Sequence, residues 1–272
     1  MIKIGIPASS RRGYDASFAR IKDMGFTCCE INANPSRMTE KDADDVIAAR
    51  VKHGLSTPTF WCSVRGPHVW DFYDGQTTLG LVPAAFREGR VEDLIAAVDI
   101  CKKLNIENVI THCGYIPENP YSETYREIVS ALRYVCGIYK NAGLFFCFET
   151  GQETPTTLLR VIEDVGTGNL GINLDPANLL MYGKANPVDA LDIIGKYVRS
   201  VHAKDGEYPT DSRSLGVEKP IGQGRVNFPA LIDKLKETGF DGSIIIEREI
   251  PEGAEQDKDI LNAKTLLERL IS

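Results

Sequence analysis

Short runs dominated by Ile, Val, Leu and Phe alternate with longer segments of helical period from one end of the chain to the other. The runs read as strands at Ile2–Pro7, Cys28–Asn32, Ser56–Ser63, Asn108–Cys113, Leu144–Thr150, Leu170–Asp175, Val198–Ala203 and Ser243–Arg248. Most are almost continuously apolar, the pattern of parallel strands covered on both faces. The segments between them predict helices at about Ala16–Met24, Thr39–His53, Val91–Leu104, Ser122–Asn141, Thr154–Val165, Pro187–Lys196, Phe228–Thr238 and Asp257–Leu270. Thr154-Pro155 and Asn186-Pro187 put a capping side chain before a first-turn proline, and Gly25, Gly54, Gly143 and Gly239 supply left-handed stops. Eight strand–helix units in series either close into a barrel or form a long doubly wound sheet. The sheet would carry a Gly-rich nucleotide loop after an early strand, and Ala8-Ser9-Ser10-Arg11-Arg12-Gly13 has neither GxGxxG nor the P-loop pattern. No linker or composition shift divides the chain. The expectation is therefore one (β/α)8 barrel domain over residues 1–272.

Composition narrows the function classes. With 43% hydrophobic residues in 272, the chain can bury a core, which excludes wholesale disorder. Its 31 Lys+Arg against 38 Asp+Glu give a net charge of −7, with no basic tract to hold a phosphate backbone, so no nucleic-acid partner is expected. The seven cysteines form no CxxC pair and lie mostly in apolar segments, as reduced core residues do. Met1–Ile6 runs straight into a strand without the features of a signal peptide, and no run approaches ~18 apolar residues. A cytoplasmic protein without a membrane partner is the expectation.

In a barrel the active site lies at the C-terminal ends of the strands, so the residue closing each strand is informative. The last four strands end in Glu149, Asp175, His202 and Glu247. One carboxylate at a strand end is commonly solvated or salt-bridged. Three converging carboxylates, each after an apolar run, are too costly to bury without a cation between them. Three carboxylates and an imidazole suit one divalent ion, Mn²⁺, Mg²⁺ or Co²⁺, with Zn²⁺ as a further alternative. Trp61, His68, Trp70, Phe72 and Tyr73 cluster in and after the third strand, in a segment reaching to Arg90. They form either an aromatic wall over a substrate or a minicore under a long loop. Gly222–Gly224 could cradle a phosphate through backbone N–H groups or simply turn the chain into the next helix.

The stretches Phe148-Glu149-Thr150-Gly151, Gly171–Leu179, Val201-His202-Ala203-Lys204-Asp205, Gly222–Phe228 and Ile246-Glu247-Arg248-Glu249 resemble the xylose-isomerase-like barrels, a family of sugar (phosphate) isomerases and epimerases. Relatives there include ketose 3-epimerases, hydroxypyruvate isomerase and inosose dehydratase. The resemblance covers nearly the whole chain. It implies that Glu149, Asp175, His202 and Glu247 hold the metal, that Glu149 and Glu247 double as an acid/base pair, and that proton transfer passes through a metal-stabilised enediolate of a ketose or related polyol ketone, free or phosphorylated. It also implies that His112 faces the substrate, and that the chain forms a homodimer or homotetramer. Asn178 stands where the ketose 3-epimerases carry histidine, and an amide binds a hydroxyl without titrating. Lys204 and Arg213 are the nearest equivalents of an arginine which those enzymes place after the metal histidine. Two other chemistries share the barrel. An inosose-type dehydratase would use the same site and then expel a β-hydroxyl. An endonuclease IV-like phosphodiesterase would need several zinc ions and a basic surface, against which four histidines and the acidic charge weigh.

Overall fold

The computed structural model describes residues 2–272. Its strands are β1 (Lys3–Ala8), β2 (Cys28–Ala33), β3 (Thr59–Cys62), β4 (Asn108–Thr111), β5 (Phe145–Glu149), β6 (Leu170–Leu174), β7 (Val198–Ala203), β8 (Asp205–Gly206), β9 (Glu218–Lys219) and β10 (Ser243–Ile246). All but β8 and β9 are parallel and close a barrel in the order β1-β10-β7-β6-β5-β4-β3-β2. Around it lie α1 (Tyr14–Asp23), α2 (Glu40–His53), α3 (Gly75–Thr78), α4 (Ala84–Leu104), α5 (Glu123–Asn141), α6 (Pro155–Val165), α7 (Pro176–Met181), α8 (Pro187–Ile194), α9 (Phe228–Glu237) and α10 (Ala254–Ile271). Each of the eight strands expected from the apolar runs is present and in the barrel.

Differences from the sequence pattern have local causes. The third strand starts at Thr59 and not at Ser56, because Pro58 has no N–H to give a ladder; Ser56 makes only an isolated bridge to Cys28. The fourth ends at Thr111, since the carbonyl of Cys113 accepts from Leu81 N at 2.8 Å in the loop that follows β3. α4 begins seven residues before Val91. Its first turns, with Gly89 and several charged residues, break the apolar period, but Arg90 and Asp93 there are fully buried. The Arg90 guanidinium donates to the carbonyls of Arg65 (2.9 Å), Gly80 (2.6 Å) and Pro67 (2.9 Å), and Asp93 pairs with Arg65 at 2.7 Å. These bonds pin the long segment between β3 and α4 against the barrel. α7 and the antiparallel β8–β9 ribbon were not expected from periodicity, being too short to show one.

Strand parity decides what the barrel encloses. Phe146 and Phe148 point outwards, Phe146 onto Tyr139 of α5 with ring centroids 6.3 Å apart, so Cys147 and Glu149 point in. On the same reasoning Glu30 and Trp61 face the interior, where they meet His202 from across the barrel. The apolar core lies between strands and helices; the C-terminal mouth is polar.

Candidate active site

Glu149 closes β5, Asp175 follows β6, His202 lies on β7 and Glu247 follows β10. Neighbouring parallel strands in register bring the four side chains to one level of the mouth. His202 Nδ1 is 3.0 Å from Glu149 Oε1 and 3.2 Å from Glu247 Oε1. Oxygens of Glu149, Asp175 and Glu247 lie within 4.8 Å of one another. Asp175 is held by its own backbone: it caps α7, with Oδ1 accepting from Asn178 N at 2.8 Å, and Pro176 suits the first helical position. Glu149 Oε2 accepts from Asn173 Nδ2.

A fifth residue belongs to this cluster and sequence reasoning missed it. Glu30, in the middle of β2, is buried, with Oε2 3.1 Å from His202 Nε2 and accepting from Thr59 Oγ1 at 2.8 Å. The imidazole is thus held on one nitrogen by Glu30 while the other faces Glu149 and Glu247. The only trace of this in the sequence is a single charge inside the apolar run Cys28–Ile31.

The electrostatics of the cluster call for positive charge. Burial drives the Asp175 carboxyl well above its usual range; Lys204 pulls it back, while Glu149 and Glu247 push it further up. Burial likewise raises Glu149, against the pull of His202. For His202 burial alone would favour the neutral ring, but Glu149, Glu247 and Glu30 together outweigh it and hold the imidazole well above its ordinary value. Two neighbouring aspartates sharpen the point. Asp205 is fully buried, and its carboxylate accepts from the backbone N–H groups of Gly206 (2.8 Å), Gly222 (2.9 Å), Gly224 (2.9 Å) and Val226 (3.0 Å). Asp175 Oδ2 is equally buried, has no hydrogen-bond partner among the described residues, and lies 3.6 Å from Lys204 Nζ. The first carboxylate is saturated; the second retains coordinating capacity. The donor set of carboxylate oxygens plus one imidazole nitrogen fits a divalent cation.

Beside the cluster is a cavity of about 310 Å³, lined among others by Trp61, Trp70, His112, Asn178, Lys204 and Glu247. Trp61 sits 5.4 Å from the His112 ring and 5.5 Å from that of His202, and Trp70 is 4.8 Å from His112. The aromatic segment after β3 therefore forms a wall of this cavity, with Phe72 packed against Tyr182 and Tyr73 left exposed. His112 is kept neutral by burial first, then by Lys204 and His202, which lower its pKa to about 3. Lys204 is 3% exposed and does not pair with Asp205. Its Nζ lies 2.6 Å from Glu249 and 3.3 Å from Glu247, and these with Asp175 raise its pKa well above normal despite burial.

One expectation fails and one open alternative is decided. Arg213 is exposed in a loop where Asp211 Oδ1 accepts from its backbone N at 2.7 Å, and it lines no part of this cavity. It lies in the loop that joins β8 to β9. The Gly222–Gly224 loop is not a vacant phosphate cradle, because Asp205 already fills it; a Cβ at Gly224 would stand 2.2 Å from Asp205 Oδ1.

A closed parallel barrel of eight strands with an acid-rich, histidine-bearing mouth places the chain among the (β/α)8 barrels. The model of the xylose isomerase-like TIM barrel family matches residues 18–268, and the chain belongs to that family. A xylose isomerase domain protein from Planctomyces limnophilus superposes with a TM-score of 0.91 at 33% identity, covering 99% of this chain and 97% of that one. A D-tagatose 3-epimerase-like protein superposes with a TM-score of 0.76 at 23% identity, over 99% and 97%. A xylose isomerase-like barrel protein from Mycobacterium smegmatis, solved in complex with magnesium, does so with a TM-score of 0.70 at 15% identity, over 100% and 97%. Among sequences, an uncharacterized protein of Methanocaldococcus jannaschii is 33% identical over 186 residues, 64% of this chain and 62% of that protein's length. A protein from Persephonella marina named as a probable endonuclease 4 is 22% identical over 251 residues, 84% of each chain. Solved structures that share this fold include further proteins named as ketose 3-epimerases, among them a D-psicose 3-epimerase and an L-ribulose 3-epimerase. No helix among the described residues is long and apolar enough to cross a membrane.

Proposed function

We propose that this chain is a divalent-metal-dependent sugar isomerase or epimerase acting on a ketose or related polyol ketone. The observation carrying the reading is the placement of Glu149 and Glu247, from strands separated by β6 and β7, on either side of His202 and both on the wall of one sugar-sized cavity. Glu149, Asp175, His202 and Glu247 would hold the cation, with Glu30 orienting the histidine ring from behind. A divalent ion bound there supplies Lewis-acid stabilisation of negative charge developing on the substrate oxygens next to the carbonyl.

The remaining chemistry belongs to the side chains. Removing a carbon-bound proton beside a carbonyl needs a base whose conjugate acid can return it, and a carboxylate can do both. Glu149 and Glu247 acting from opposite faces invert the carbinol; one of them shuttling on a single face moves the carbonyl. Neutral His112 and Asn178 offer hydrogen bonds to hydroxyls, and the Lys204 ammonium lies within reach of an oxygen that gains charge. Trp61 presents a flat apolar surface to the C–H face of a sugar and excludes water.

Incubation of the Mn²⁺-loaded protein with ketoses in D₂O tests this. Deuterium is expected at the carbon next to the carbonyl, with recovery of an isomer, and lost in Glu149→Gln. A new enone absorbance without isomer would place the chain with the dehydratases, and cleavage of abasic-site DNA would replace the sugar reading altogether.

A further inference from the structure

A second cavity, of about 480 Å³, opens where the C-terminal ends of β1 and β10 meet α1 and α10. It shares Asn32, Glu247 and Glu249 with the cavity at the cation cluster, so the two are lobes of one cleft divided by Glu247. Asn32 is fixed at the junction, its Oδ1 accepting from Ser63 Oγ at 2.8 Å. The cavity at the cation cluster, about 310 Å³, lies at the small end of the usual range for ligand sites, roughly 300–1,000 Å³, and suits one sugar ring; past Trp61, Trp70 and His112 it continues into a further pocket of about 230 Å³. A monosaccharide bound there leaves the larger lobe unused.

Four arginines border the larger lobe, which at first suggests an anion. Their pairing argues otherwise. Arg12 is 2.9 Å from Glu252, Arg20 is paired with Asp257, and Arg248 lies 2.8 Å from both Glu218 and Asp259. Arg11 alone has no carboxylate partner among the described residues, and it is exposed. Glu247 and Glu249 on the dividing wall add negative charge where an anionic group would pass. A lobe in which guanidinium N–H donors lie next to carboxylate acceptors in near balance, with the hydroxyls of Ser9 and Ser17 and the Gln256 amide among its walls, matches the neighbouring hydroxyls of an uncharged polyol.

We propose that the substrate is a ketose-bearing glycoside, with its reacting unit at the cation cluster and a second, uncharged sugar unit in the lobe between β1 and β10. This rests on the isomerase reading above for the reacting unit alone. The phosphorylated alternative is weakened at both of its places: the glycine loop is filled by Asp205, and three of the four arginines are paired with carboxylates, leaving only the exposed Arg11 at the rim.

The test compares D-fructose, D-fructose 6-phosphate and three disaccharides that attach a hexose to fructose through different hydroxyls (turanose, lactulose and isomaltulose). Binding to the Mn²⁺-loaded protein is followed by calorimetry, and turnover by deuterium uptake in D₂O. At least one disaccharide is expected to bind about tenfold or more tightly than fructose, the gain from a few added hydrogen bonds. Ala16→Trp, which fills the lobe from the exposed face of α1, and Arg11→Ala, which removes a donor at its rim, should each lower that ratio. Equal affinity for fructose and all three disaccharides, a ratio indifferent to both variants, or a preference for fructose 6-phosphate would overturn the proposal. Disaccharide preference without deuterium uptake from any sugar would keep the lobe and remove the isomerase reading; uptake from fructose without disaccharide preference would do the reverse.

Discussion

The two halves of the barrel build the same mouth by different means. From β5 to β10, charged side chains sit at or just past the strand ends, placed by ladder register and, for Asp175, by the cap of α7. From β1 to β4 the strands contribute Trp61, His112 and the buried Glu30, and the wall is completed by Trp70 on the segment that Arg90 and Asp93 tie down. One half supplies charge on rigid backbone. The other supplies shape through a loop whose position depends on a few buried polar bonds. Chemistry that tolerates little misplacement is carried on strands, and selectivity is carried on the element that can vary.

That contrast can be broken in several places. The largest effect is expected on the charged side: Asp175→Asn or His202→Ala should cost about 10³-fold or more in turnover and abolish stoichiometric binding of a divalent ion by elemental analysis, with the barrel still folded by circular dichroism. Retention of the ion in both variants would remove the metal assignment. Glu30→Gln, reaching into that side from the opposite half, should leave the ion bound but weaken it about 10–100-fold in a calorimetric titration, as loss of an orienting carboxylate does. On the loop side, Arg90→Ala leaves three carbonyls without their donor. It should cost about 3 kcal/mol of stability and raise KM about tenfold with a smaller change in kcat, separating shape from chemistry.

The smallest expected effect concerns Glu153, buried near both halves with neither carboxylate oxygen hydrogen-bonded by another residue among those described. Burial raises its pKa to about 8, against the pull of its own backbone amide and of Lys184. An unfolded Glu titrates near ~4.3, so between these values the folded chain holds the extra proton. The stabilisation is complete below the lower value and is lost as pH rises through the upper one. The Tm of the native chain should therefore fall between pH 6 and 9 by about 5 °C more than that of Glu153→Gln, as read by calorimetry at matched ionic strength.

Much of this was legible beforehand, and the reason differs from residue to residue. Parallel strands covered on both faces must be apolar throughout, so their runs stand out, and whatever polar residue ends such a run stands out with them; Glu149, Asp175, His202 and Glu247 were visible for that reason. Glu30 was hidden because it lies inside a strand, and its partner is 172 residues away in sequence. Arg90 and Asp93 were hidden because a buried charge looks like a solvated one until its partners are known. Arg213 misses the cavity because it sits in the exposed loop joining β8 to β9, and the direction of such a loop is not encoded in local composition.

By itself, then, the sequence determined the eight barrel strands and the long helices between them, the closure into a barrel, and the residues that crown its last four strands. These follow from local periodicity and from the cost of burying unpaired charge. Tertiary structure decided the rest: that Asp205 fills the glycine loop, that Glu30 backs the histidine, and that two lobes meet at Glu247. Each depends on groups far apart in the chain being brought within hydrogen-bond reach, and such distances exist only once the barrel has closed.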